Sequence, residues 1–122
     1  MDFNEYQDKA ATTAIFLETV REKHPDLPKD IEDYLSLAYL SLGLGESGEV
    51  QGKVKKVLRD AGGVLTDKAR TEIAKELGDI LWYLSGTCTQ LGIRLEDVAD
   101  KNIEKLFSRK DRNQLTGNGD NR

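Results

Sequence analysis

The chain is poor in cysteine, proline and histidine, and it has no apolar run approaching the length of a membrane span; these scarcities narrow its 122 residues before any motif is considered. Lone Cys88 excludes an intrachain disulfide scaffold and a cysteine-built zinc site, so stability has to come from packing. A membrane-crossing helix needs about twenty consecutive apolar residues, and no segment supplies them, which predicts no membrane association. The chain opens on Asp2, Asn4, Glu5 and Asp8 where a signal peptide would carry bases and an apolar stretch, so cytoplasmic residence is expected. An excess of bases is also missing. With 22 acids against 18 bases the net charge is −4, which removes the electrostatic reason to expect nucleic acid as a partner. Four acids gathered in one place would account for the whole imbalance.

The two prolines, Pro25 and Pro28, flank Asp26 and Leu27 in a connector that cannot continue a helix. Before it, Phe3, Tyr6, Ala10, Ala14 and Leu17 recur at three- and four-residue steps, which predicts a first amphipathic helix over about residues 3 to 22. After it, a helical pattern runs from Ile31 to Leu58, with room for a break, until Asp60-Ala61-Gly62-Gly63 stops it. Thr66 and Asp67 read as the cap of a third helix, whose stripe of Ile73, Leu77, Ile80, Leu81, Leu84, Cys88 and Leu91 ends at Gly92. A fourth helix spans about Leu95 to Lys110 and carries Val98, Ala99, Ile103, Leu106 and Phe107 on one face, with bases toward its C-terminal end. Sustained strand-like alternation is absent, and the expected architecture is all-α. Residues 116–122 hold nothing apolar and are expected to form a mobile tail after a domain of residues 1–115.

On the third helix Glu72, Glu76, Asp79 and Tyr83 form a narrow stripe beside the apolar arc, at about 100° of rotation per residue. Like charges three and four residues apart destabilise an isolated helix by roughly 0.2–0.5 kcal/mol per pair, and no base is interleaved on that stripe. Glu46 and Glu49 repeat the three-residue spacing on the second helix, with Lys53 one turn on. Antiparallel packing of the two helices would bring Glu46, Glu49, Glu76 and Asp79 to one volume. Four carboxylates there would raise one another's pKa unless a cation intervened, and a hard divalent ion such as Mg²⁺ suits an all-oxygen set. The alternative is that these are ordinary solvated acids. A di-iron or di-manganese bundle would want Glu-x-x-His, and the single histidine, His24, lies in the proline-containing connector.

Gly43-Leu44-Gly45-Glu46-Ser47-Gly48 has the form of a dinucleotide-binding fingerprint, but it lacks the preceding strand, and Glu46 would repel a pyrophosphate. Gly45, Gly48 and Gly52 share one side of their helix, where either a close backbone approach or a local kink would account for them. On the fourth helix Asn102, Lys105 and Arg109 offer donors of the kind that bind phosphate oxygens; the competing reading is a basic helix terminus. Lys53 is open to the same two uses, as a phosphate ligand or as a partner of Glu49. Trp82 is expected to point away from the acids into packing. Tyr83 is the aromatic side chain expected beside a ligand.

Gly45-Glu46-Ser47-Gly48-Glu49-Val50, Glu76-Leu77-Gly78-Asp79-Ile80-Leu81-Trp82-Tyr83-Leu84, and Lys101-Asn102-Ile103-Glu104-Lys105-Leu106 with Arg109 together resemble the MazG-like nucleotide pyrophosphohydrolases of the all-α NTP pyrophosphatase superfamily. Asn4-Glu5-Tyr6-Gln7 and Gly119-Asp120-Asn121-Arg122 are similar to the ends of small single-domain members. The resemblance implies a four-helix-bundle-like fold completed by dimerisation, as a dimer or dimer of dimers. It implies hydrolysis of a nucleoside triphosphate to the monophosphate and pyrophosphate, with Mg²⁺ as cofactor and Mn²⁺ as a substitute. By the same resemblance Glu46, Glu49, Glu76 and Asp79 are the metal-binding and catalytic residues. Lys53, Asn102, Lys105 and Arg109 bind the triphosphate, and Asp120, Asn121 and Arg122 are candidates to close over it. A dUTP-preferring enzyme, a phosphoribosyl-ATP pyrophosphohydrolase and a noncatalytic helical interaction protein are the alternatives.

Overall fold

The computed structural model describes residues 1–122 and contains helices and connecting turns only. The helices are α1 (Phe3–Ala11), α2 (Glu18–Lys23), α3 (Lys29–Gly43), α4 (Ser47–Asp60), α5 (Asp67–Gln90) and α6 (Leu95–Asp111). A 3-10 turn, Leu44–Glu46, joins α3 to α4. No helix is long and apolar enough to cross a membrane.

The expected first helix is split in two. Asp2 caps α1 by accepting from the Glu5 amide, but the Thr12 and Thr13 hydroxyls donate to the carbonyls of Lys9 and Ala10 and close the helix there. Thr13 Oγ1 also accepts from Trp82 Nε1 at 2.8 Å, so the turn is held by α5. The second expected helix is likewise α3 and α4, separated by the 3-10 turn around Gly45. Gly62 and Gly63, with φ of +59° and +79°, end α4 in the left-handed conformation that glycine adopts freely. Thr66 Oγ1 accepts from the Ala69 amide and starts α5, and Gly92, with φ of +69°, follows its end, as the local signals predict.

The 24-residue α5 is the axis of the molecule, touching α1, α3, α4 and α6. Two glycines let α3 approach it closely. A Cβ at Gly43 would lie 2.1 Å from Tyr83 Cδ1, and one at Gly86 would lie 2.6 Å from Leu40 Cδ2. The close approach expected at Gly45, Gly48 and Gly52 is therefore displaced; within this chain nothing lies within 4 Å of a Cβ built at those three. At Gly45 the 3-10 turn is the local departure from helix that the sequence left as the alternative.

A polar staple holds α1 to the α5–α6 turn. Gln7, buried at 2% exposure, donates through Nε2 to Thr89 Oγ1 (3.0 Å) and the Ile93 carbonyl (2.9 Å) and accepts from the Leu95 amide (2.8 Å). Arg94 adds bonds to Asn4 Oδ1, the Asn4 carbonyl and Asp8 Oδ1, each 2.9 Å. The apolar core of the single chain is small: Leu17, Leu40, Cys88 and Leu95 are its buried apolar side chains. Leu77, Ile103, Leu106 and Phe107, all expected on core-facing stripes, remain exposed on one chain, as do Leu42 and Leu58.

Candidate active site

The two acidic pairs stand on facing elements. Glu46 closes the 3-10 turn and Glu49 occupies the first turn of α4, while Glu76 and Asp79 lie near the middle of α5, against which both the turn and α4 pack. Glu46 and Asp79 line one open pocket of about 270 Å³ together with Trp82 and Tyr83. Trp82 thus lines the acid pocket, contrary to its expected orientation. Only about 60° of helix rotation separates it from Asp79, and its indole is wide enough to cover that angle. Glu49 is exposed, and Glu76 is half-buried beside Lys53.

Lys53 does not pair with Glu49. It crosses from α4 to α5, where its Nζ lies 3.5 Å from Glu72 Oε2 and 3.6 Å from Glu76 Oε1. The acid stripe of α5 therefore has cations after all, Lys53 from a neighbouring helix and Lys75, 3.5 Å from Glu72, from its own. Lys75, one turn from Glu72 on its own helix, and then Lys53 hold the Glu72 carboxyl below the usual range. Lys56 and Lys68 share a groove of about 560 Å³ with Lys53 and Glu72 at the α4–α5 turn, where the sequence motifs had not pointed to them. Their α4–α5 placement was not readable from spacing within either helix.

Tyr83 is the hinge of the aromatic wall. Its ring meets Trp82 edge-on at 5.1 Å and lies 6.0 Å from Tyr39, while Phe16 stacks on Tyr39 at 4.3 Å. The Tyr39 hydroxyl, partial burial and the Glu46 and Asp79 charges together push the Tyr83 phenol above its ordinary pKa. Burial, and then the Asp79 charge, raise Tyr6 on α1 in the same direction. The negative field of the pocket thus extends over both tyrosines.

No three His, Cys, Asp or Glu side chains converge closely enough in one chain to form a ready metal cage. The donors themselves are all carboxylates on packed helical segments, the set a hard divalent cation requires. Lys53 supplies positive charge to two acids of this region. The residues fit a Mg²⁺ site by donor chemistry, with side-chain adjustment needed to gather them.

The expected phosphate ligands stand apart from these acids. Helix α6 packs on α1 and α5 and makes no contact with α3 or α4. Asn102 and Lys105 border an apolar groove of about 680 Å³ with Leu81 and Leu84, which lie on the side of α5 roughly opposite Asp79. Arg109 is buried at 6% exposure. The polar stretch after Leu115 curls back over this helix, and Asp120 pairs with both Lys105 and Arg109.

A domain of helices packed on one long central helix, with an acidic pair on that helix and another on the segment packed against it, is all-α in class. Residues 36–113 match the family model of the MazG nucleotide pyrophosphohydrolase domain, and the chain belongs to that family. The matched span starts within α3 and takes in α4, α5 and α6, so it contains every residue of the two acidic pairs and the three α6 donors. The chain is also similar to the Gene 37 protein of Mycobacterium phage L5, with 46% identity over 94 residues, covering 76% of this chain and 82% of the relative. No solved structure matches it.

Proposed function

We propose that this protein is a Mg²⁺-dependent nucleoside triphosphate pyrophosphohydrolase that converts a (d)NTP and water to the (d)NMP and pyrophosphate, in housecleaning or control of the cytoplasmic nucleotide pool. The observation that carries this reading is the placement of Glu46 and Asp79, from separate elements, in one pocket within a chain of the MazG family. Glu46, Glu49, Glu76 and Asp79 hold the metal, and one of the glutamates orients or deprotonates the attacking water. Bound Mg²⁺, or Mn²⁺ in its place, supplies Lewis-acid polarisation of the phosphoryl oxygens and offsets the charge that develops on departing pyrophosphate. Lys53 turns from Glu72 and Glu76 to the phosphate chain, and Tyr83 walls the pocket. Asn102, Lys105 and Arg109 supply further donors to phosphate.

The working form is a homo-oligomer, a dimer or a dimer of dimers. Two observations support this. Leu42, Leu58, Leu77 and Phe107 are all more than half exposed on one chain, a large apolar surface for so small a core. The α6 donors also lie away from the acids of their own chain, so a second copy is the natural source of donors for each acid pocket.

The test is a panel of nucleoside triphosphates with Mg²⁺, read by pyrophosphate release and product identification. Glu49→Gln and Asp79→Asn should each lower turnover at least about a hundredfold while leaving the helical circular dichroism unchanged. Full rates in both variants would remove the acids from the reaction. A preference for dUTP, or cleavage of phosphoribosyl-ATP alone, would redirect the substrate assignment; no turnover of any nucleotide would favour the noncatalytic helical reading.

A further inference from the structure

Asp120, beyond the end of α6, stands on two cations of that helix. Its Oδ1 accepts from Lys105 Nζ at 2.9 Å and from Arg109 Nη2 at 3.0 Å, and its carbonyl accepts from the same Nη2 at 2.5 Å. Residues 116–122 have no apolar side chain to pack, so the hold on α6 is made by charge and hydrogen bonds alone. Gly117 and Gly119, with φ of +110° and +87°, provide the turns that bring Asp120 back. Arg122 keeps the segment coiled on itself by donating to the carbonyls of Gln114, Leu115 and Gly119.

We propose that Asp120 is a built-in competitor for phosphate: its carboxylate holds Lys105 and Arg109 while no ligand is bound, and a phosphate-bearing ligand displaces it from them. The proposal rests on the assignment of Lys105 and Arg109 to the phosphate chain. Three features favour exchange over a permanent strap. The Asp120 side chain is 76% exposed and that of Lys105 is 40% exposed, so an incoming anion meets the Lys105 end of the seat from solvent. The Arg109 side chain is only 7% exposed, and its buried Nε has no acceptor, so the carboxylate leaves part of the guanidinium unsatisfied. A phosphate chain carries more charge and more acceptor oxygens than one carboxylate and is the stronger partner for a Lys–Arg pair. Asp120 thus offsets one of the seat's two positive charges until a better anion arrives, at the expense of apparent affinity.

Inorganic pyrophosphate bound to the full chain is the probe, with affinity measured by titration calorimetry and the tail followed through the amide resonances of Gly117 and Gly119. Asp120→Asn should tighten pyrophosphate binding about three- to tenfold, because the fraction of chains with a free seat rises. Removal of residues 116–122 should do the same. In the unsubstituted chain saturation with pyrophosphate should move both glycine resonances toward those of an unstructured segment, and Lys105→Met should weaken binding. If Lys105→Met weakens binding but Asp120→Asn does not tighten it, or the glycine resonances stay in place, the tail is a fixed strap and the proposal is overturned. If Lys105→Met leaves pyrophosphate affinity unchanged, the proposal and the phosphate assignment of these cations both fall. The acid-pocket reading then still stands or falls separately on the turnover of the Glu49 and Asp79 variants.

Discussion

Replacing Gly43 with alanine tests whether the α3–α5 crossing sets the position of the aromatic wall. The added Cβ would lie 2.1 Å from Tyr83 Cδ1 and 2.2 Å from Cε1, against an ordinary contact of at least about 3.4 Å, so the ring has to retreat by more than about 1 Å. Overpacking of this kind costs about 1–3 kcal/mol. Alanine simultaneously favours the helix by about 1 kcal/mol over glycine, which conceals part of the loss. Gly52→Ala isolates that second effect, because Gly52 lies inside α4 with open space where its Cβ would go. The two variants should therefore differ by about 1–3 kcal/mol in urea unfolding, with Gly52→Ala the more stable. Trp82 is the single tryptophan and meets Tyr83 edge-on, so its fluorescence should change in Gly43→Ala and stay as it is in Gly52→Ala. In a Tyr83→Ala background the clash is gone, and Gly43→Ala should become neutral or stabilising. Equal stabilities for Gly43→Ala and Gly52→Ala, with unchanged Trp82 emission, would refute the steric argument.

Co-refolded Asp79→Asn and Lys105→Met chains, each inactive alone, should recover about a quarter of the unsubstituted rate if acids and α6 donors meet across a two-fold interface; no recovery places both in one chain. Lys105 first, then Arg109, depress the Asp120 carboxyl below its ordinary value, so the tail contact is fully present above the ordinary pKa of about 3.9 and is lost as pH falls through the depressed one. An Asp120 carboxyl resonance with its midpoint at or above the ordinary value would show that the contact does not persist in solution. Cys88 is buried, and desolvation raises its thiol pKa, so at pH 8 a disulfide reagent should label it only at the rate of opening or unfolding. Labelling as fast as a free thiol would mean that this part of the core is open.

Local signals carried much of the helix pattern. Thr66 and Gly92 mark the two ends of α5 because a cap and a left-handed glycine act within a few residues of themselves. The pairing of Glu46 with Glu49 and of Glu76 with Asp79 was legible for the same reason: three residues along a helix is nearly one turn, whatever the helix packs against. The end of α1 was not legible, since the tryptophan holding Thr13 is remote in sequence. Gln7 reads as a surface residue in any pattern, and only the arrival of Thr89, Ile93 and Leu95 gives its amide enough partners to be buried. Gly43 and Gly86, and not the glycines of α4, carry the close approach because the crossing of α3 over α5 decides which positions have no room.

Sequence alone therefore determined that the chain is helical, which residues bear charge, and which acids share a turn. Tertiary structure alone decided that Lys53 answers Glu72 and Glu76, that Trp82 and Tyr83 border Glu46 and Asp79, and that α6 turns its cations toward Asp120 and away from the acids. The division is physical. Helix periodicity and capping are properties of neighbours along the chain, whereas the partner of a charge depends on which helices pack together and at what rotation.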